Sequence, residues 1–164
     1  RQTMQLMLMR HGEASYHLGD TDHQRPLTAE GFAQARHMGQ WMKDHGFMPD
    51  AVHLSSALRT RQTYEAWAAA NQFQGTMVAH DALYLAAPET MLQCIHQASP
   101  DHRRIMVLGH NPGITRLCAE LSAENRPFGT ACLAVLEHKD RPWTSWLPNH
   151  EAQFTHFERP AAFR

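Results

Sequence analysis

Lysine is nearly missing from this 164-residue chain: two lysines stand against thirteen arginines. Arginine suits anion recognition, because a guanidinium grips phosphate with two parallel bonds where an ammonium offers a point charge. Genome base composition produces the same bias, so the ratio alone decides little. A charge excess is missing too. Fifteen basic residues face sixteen acidic ones and the isoelectric point lies near 7.0, which leaves no global field for coating nucleic acid, and no nucleic-acid partner is expected. No apolar run approaches the roughly 20 residues that span a bilayer, and the first residues lack a signal-peptide layout, so no membrane partner is expected. Cysteines are scarce: Cys94, Cys118 and Cys132 are odd in number and show no metal-ligand spacing. They read as buried thiols of a reducing compartment, and the expected location is cytoplasmic. Thirteen histidines are many, yet they are scattered, with no HExxH and no pair three or four apart. Neither a metal nor another cofactor is expected from them.

What is present is alternation. Leu6-Met7-Leu8-Met9 is a short apolar run that stops at Arg10-His11-Gly12-Glu13, the pattern of a strand covered on both faces. A polar stretch, Ser15 to Arg25, reads as a surface loop. Thr28 is placed to cap a helix whose Phe32, Ala35, Gly39 and Met42 keep helical spacing, with Gly46 as the stop. The alternation continues with a strand at Ala51 to Leu54, a helix over Ala57 to Ala70, a weaker strand at Thr76 to Ala79 and a helix starting near Pro88. Ile105 to Leu108 is a further buried strand, followed by the Ile114, Leu117, Cys118, Leu121 stripe of a helix. The last third reads as three strands without helices, Ala131 to Glu137, Trp143 to Leu147 and Phe154 to Glu158. The sequence therefore predicts an α/β fold, a three-layer α/β/α sandwich whose mostly parallel central sheet carries antiparallel edge strands. At 43% hydrophobic residues, with no repeat or linker, residues 1–164 are expected to form a single domain.

Ligands of open α/β sheets bind beyond the carboxyl ends of the strands, near the switch in strand order. Three expected strands end in polar motifs there: Arg10-His11-Gly12-Glu13, Ser55 through Arg59, and Gly109-His110-Asn111. If those strands run parallel, one crevice receives two histidines and two arginines. Such a cationic pocket in a nearly neutral protein predicts an oxyanion ligand, most simply a phosphoryl group.

These residues carry a resemblance. Arg10-His11-Gly12-Glu13 resembles the RHG signature of the histidine phosphatase (phosphoglycerate mutase-like) superfamily. Ser55-x-x-x-Arg59-x-x-Gln62-Thr63 is similar to its second arginine motif, and Gly109-His110-Asn111-Pro112-Gly113 to its second histidine motif. Asp22-x-x-Arg25-Pro26-Leu27-Thr28-x-x-Gly31 resembles the short bacterial phosphohistidine phosphatase branch. The likeness runs from about Met4 to the C-terminal strands and implies a phosphoglycerate mutase-like fold. It also implies a metal-independent phosphatase in which His11 is the phosphorylated nucleophile while Arg10, Arg59 and His110 bind phosphoryl oxygens. Asn111, Ser55 and Gly12 are further candidates for touching substrate, Ser55 equally for capping a helix. Attack needs a neutral imidazole, and two nearby guanidinium groups disfavour its protonation. A hydrogen bond to a backbone carbonyl near Gly12 would fix the tautomer.

One departure from the family pattern bears on substrate. Relatives that cleave alkyl phosphomonoesters commonly carry a glutamate after the third strand as general acid, and Ala82 stands there, with Asp81 beside it and Tyr84 two residues on. An alkoxide needs that acid, typically worth about 10²–10⁴-fold, whereas a protonated phosphoimidazole leaves as neutral imidazole. The expected substrate is accordingly a phosphohistidine-bearing protein. The alternative is a small-molecule phosphomonoester, with Asp81, Glu13 or Asp22 as the acid or an orienting carboxylate. The short Ala79 to Glu89 stretch suits an open crevice. Phosphate, vanadate and tungstate are expected to bind in it. A noncatalytic phosphate-binding module is the reading from another class, against which all four cationic and imidazole residues speak.

Overall fold

In the computed structural model, residues 2–16, 19 and 21–161 are described; of the expected Ser15 to Arg25 loop, His17, Leu18 and Asp20 lie outside them. The first strand shows how the sheet is made. In β1 (Thr3–Arg10) the six residues Met4 to Met9 are all buried, and successive side chains point to opposite faces. Met4, Leu6 and Leu8 join one core, and Met7 and Met9 join the other. The same division recurs in β4 (Arg104–Gly109), with Ile105 and Val107 on the first side and Met106 and Leu108 on the second. Apolar runs without polar alternation are thus the signature of strands sandwiched between two helical layers.

On the second face lie α1 (Ala29–Asp44) and α2 (Leu58–Asn71), contributing Met38, Met42 and Trp67. On the first lie α3 (Pro88–His96) and α4 (Gly113–Ser122), contributing Met91, Ile95, Ile114 and Leu117. The remaining strands are β2 (Ala51–Ser55), β3 (Thr76–His80), β5 (Leu133–Lys139) and β6 (Gln153–Glu158), and the sheet runs β3-β2-β4-β1-β5-β6. β3, β2, β4 and β1 are mutually parallel, while β5 is antiparallel to β1 and β6 to β5. This is the expected three-layer α/β/α architecture with its antiparallel edge. The chain leaves β1 towards β2 and β3, then returns to insert β4 between β2 and β1, so the strand order reverses beside β1. Among the described residues, no helix is long and apolar enough to cross a membrane.

One expected strand is not a strand. Trp143–Ser145 is a single 3-10 turn entered from Pro142. Alternation would send Trp143 and Trp146 to opposite faces, yet both rings are buried, with centroids 5.2 Å apart. The turn places side chains three apart on one side, and the Trp143 indole N–H donates to the His102 carbonyl at 2.7 Å. The last long strand also starts later than expected, at Leu133, because Ala131 takes a left-handed φ of +59° and donates its amide to the His11 carbonyl at 3.0 Å.

Candidate active site

The register places the site. Arg10 pairs with Gly109 across β1 and β4, and Leu54 pairs with Leu108 across β2 and β4. Three neighbouring strands therefore end side by side, and the residues that follow them, His11, His110 and Ser55 with the first turn of α2, share one edge. The His11 amide donates to the Gly109 carbonyl at 3.1 Å, and the His11 and His110 ring centroids lie 5.3 Å apart, tilted by 59°.

Backbone contact holds the His11 turn. A Cβ on Gly12 would sit 2.7 Å from the Gly31 carbonyl oxygen, and one on Gly31 would collide with the Glu13 carbonyl. The first turn of α1 therefore packs directly onto the turn after β1, which only glycine at both positions allows. Thr28 caps α1 by accepting from the Gly31 amide at 3.0 Å, and its hydroxyl lies 2.9 Å from Glu13 Oε1. Glu13 thus orients the helix start. The Gly12 amide donates to Thr63 Oγ1 at 2.9 Å, and Thr63 Oγ1 in turn donates to the Arg59 carbonyl at 2.7 Å. The His11 turn and the arginine helix are tied by one hydroxyl.

His11 is only 7% exposed, and its Nδ1 lies 2.7 Å from the Gly12 carbonyl oxygen. A carbonyl can only accept, so Nδ1 carries the proton and Nε2 keeps its lone pair. Burial is the main cause that lowers the His11 pKa to about 4, the Gly12 bond opposes it, and Arg59, Arg10 and Arg25 lower it further. The sequence reading put the arginines first; desolvation outweighs them. His110, at 2% exposure, is pushed down to about 3, again by burial first and then by His11 and Arg59. Both imidazoles are neutral at physiological pH.

His110 Nε2 lies 2.7 Å from Ser55 Oγ, which also accepts the Ala57 amide at 3.1 Å. Ser55 is fully buried, and its hydroxyl is engaged by His110 and by the Ala57 amide at the start of α2. His110 Nδ1 is buried without a partner among the described residues. Asn111 donates to the Phe128 carbonyl at 2.7 Å and accepts from Thr115 Oγ1 at 2.7 Å. Arg10 Nη1 reaches the same Phe128 carbonyl at 3.1 Å. Gly12, with its amide on Thr63 and its carbonyl on His11, and Asn111 are likewise engaged inside the protein.

Arg59, 2% exposed in the first turn of α2, donates through Nη1 to the Asp22 carbonyl at 2.7 Å and through Nη2 to Asp22 Oδ2 at 3.1 Å. Asp22 also pairs with Arg25 at 3.1 Å and accepts a short hydrogen bond from the Tyr84 hydroxyl. That hydroxyl, before the two arginines, holds the Asp22 carboxyl well below the usual carboxylate range. Asp22 is an anion in this arrangement, seated on the guanidinium that faces the histidines. Tyr84 stands edge-on to His110 at 5.6 Å and lies 5.9 Å from the Arg59 guanidinium. The crevice expected to be open is thus partly filled by Asp22 and Tyr84. Asp81 is exposed at the start of the 3-10 turn Asp81–Leu83, with Ala82 exposed beside it. Sequence reasoning missed the Tyr84–Asp22 contact, Thr63 as the link and the Phe128 carbonyl; only Thr63, four residues after Arg59 on one helix, left a spacing signal.

A sheet of this topology, with neutral imidazoles and guanidinium groups at the strand-order reversal, belongs to the phosphoryl-binding α/β class. Residues 6–84 match the model of the histidine phosphatase superfamily, branch 1. An uncharacterized protein of Mycobacterium tuberculosis is 32% identical over 115 residues, 70% of each chain. Among solved structures, one assigned as the phosphohistidine phosphatase SixA from Nakamurella multipartitia superposes with a TM-score of 0.88 at 28% identity, covering 99% of both chains. The protein histidine phosphatase SixA complexed with tungstate gives 0.81 at 25% identity, over 96% of this chain and 97% of that one. The chain belongs to the histidine phosphatase superfamily and is a phosphatase.

Proposed function

We propose that this phosphatase removes phosphoryl groups from phosphohistidine on a protein, through a phosphorylated His11. The observation that carries the reading is the bond from His11 Nδ1–H to the Gly12 carbonyl. It leaves Nε2 as the nucleophile, and burial keeps the ring from taking a proton first. Nε2 attacks phosphorus as the bond to the departing imidazole nitrogen breaks; water then displaces phosphate from His11. Arg10, Arg59 and the His110 ring supply donors to the equatorial oxygens, whose charge grows during in-line transfer. Asp22 must leave Arg59 for the phosphoryl group to enter. No step of this scheme calls on a metal ion.

The acid side of the reaction supports a phosphoramidate. Ala82 brings only a methyl group to the position where alkyl-ester relatives carry their acid, and Asp22 is held as carboxylate, with no proton to give at neutral pH. A protonated phosphoimidazole leaves as a neutral ring and needs little help. The solved relatives named for phosphohistidine or protein-histidine phosphatase activity point the same way. The test compares kcat/KM on a phosphohistidine protein with that on alkyl phosphate esters at matched concentrations. Phosphohistidine is expected to react at least about 10²-fold faster, the low end of a missing general acid. Faster alkyl-ester hydrolysis would place the protein among small-molecule phosphomonoesterases, with Asp81 as the acid to examine.

A further inference from the structure

Three side chains with metal-binding atoms converge outside the crevice, where the β2–β3 edge of the sheet meets α3. His53 Nδ1 lies 2.9 Å from His80 Nε2, and Cys94 Sγ lies 3.8 Å from that same nitrogen. One potential ligand atom from each residue falls within 4.8 Å of the other two. The strand register makes the cluster. His53 pairs with Val78, two residues before His80, so the two imidazoles stand on one face of the parallel pair, and Cys94 comes from the covering helix. A cavity of about 210 Å³ opens on the three residues, with Thr90, Gln93 and Gln97 among its walls.

We propose that His53, His80 and Cys94 form a binding site for zinc(II), with the fourth coordination position open to water or to a donor from the cavity. Tetrahedral zinc, with Zn–N about 2.0–2.1 Å and Zn–S about 2.3 Å, sets its nitrogens about 3.3 Å apart and nitrogen and sulfur about 3.6 Å apart. The His53–His80 distance is about 0.4 Å short of the first value and the His80–Cys94 distance about 0.2 Å beyond the second; the His53 and Cys94 ligand atoms lie within 4.8 Å, and side-chain rotation must close that third side. Two imidazoles and a thiolate select a borderline-soft ion over magnesium or calcium, which take oxygen ligands. Binding replaces the Cys94 S–H bond with S–Zn and releases that proton to solvent. The N–H shared between the two rings moves to a distal ring nitrogen, and no oxidation state changes. His53 Nε2 is buried without a partner among the described residues, so no outer hydrogen bond locks its tautomer. Ligating histidines usually have such a partner, which puts the expected affinity below that of closed structural zinc sites.

Cobalt(II) added to chelator-stripped full-length protein reads the site directly. The expected result is 1:1 uptake with intense visible bands of tetrahedral coordination and a thiolate-to-cobalt charge-transfer band in the near ultraviolet, both displaced by zinc. Cys94→Ser should abolish the charge-transfer band. His80→Gln should weaken zinc binding at least tenfold in competition with a chromophoric chelator, and His53→Gln provides a second, independent loss. Absence of 1:1 uptake by the wild-type protein, or a charge-transfer band that persists in Cys94→Ser, overturns the proposal.

Discussion

Two pairs of histidines stand on this sheet at almost the same spacing, with ring centroids 5.3 Å apart for His11 and His110 and 5.2 Å for His53 and His80. Burial is the first cause lowering the pKa in every one of the four, to about 4 for both His11 and His53. The rings are therefore alike as isolated groups. Their neighbours separate them. Around the first pair are Arg10 and Arg59 and a backbone carbonyl that fixes one tautomer; beside the second is the Cys94 thiol. Guanidinium groups turn a neutral imidazole towards a phosphoryl group, and a thiol turns it towards a soft cation. Histidine chemistry in this molecule is decided by the third residue.

The contrast breaks most sharply at His11. His11→Ala is expected to lower phosphatase turnover at least about 10³-fold while tungstate still binds, because the nucleophile is lost and the guanidinium donors stay. His53→Gln should leave turnover unchanged; steady-state rates on one phosphohistidine protein check both. Arg59→Ala comes next, at about 10²–10³-fold in kcat, the usual loss of a charge-stabilising donor. Gly31→Ala acts through the fold: its methyl group meets the Glu13 carbonyl, and the expected destabilisation is about 1–3 kcal/mol in urea melts. Asp22→Asn removes the carboxylate from Arg59 and should tighten tungstate inhibition about two- to fivefold, the scale of a partly exposed ion pair.

A further effect is the dependence on pH. A buried histidine with a depressed pKa binds fewer protons than the unfolded chain, so its share of stability is complete above about 6.5 and is lost as pH falls towards about 4 for His11 and His53. Melting temperature should decline across that window, and His53→Gln should flatten the decline without altering the ¹⁵N titration of His11. A His11 ring that gains charge near pH 6.5 in that titration contradicts the buried, neutral nucleophile.

The comparison also explains what could be read from sequence. The two-sided apolar strands were legible because burial leaves an unbroken run, as at Leu6 to Met9. Arg10, His11, Arg59 and His110 were legible because each follows a strand end or opens a helix, and parallel strands bring such ends together. The Trp143 turn was missed because an aromatic-rich segment has the composition of a strand, while the inward packing of two indoles three residues apart is a tertiary fact. The scattered histidines show no metal-ligand spacing along the sequence. His53, His80 and Cys94 stand 27 and 14 residues apart, and only the β2–β3 register and the cover of α3 bring them together. Tyr84 and Asp22 meet across 62 residues of sequence, another contact that no local spacing announces.

The seat that Asp22 takes on Arg59 sets an admission threshold for the crevice. A tethered carboxylate is present at high local concentration, so a visiting anion gains only the difference between its own grip and the incumbent's. A doubly charged phosphoryl group with three oxygens engages several donors at once, where a monovalent anion engages fewer. The Asp22 carboxylate thus stands as an internal competitor for the Arg59 guanidinium, at the strength of a partly exposed ion pair.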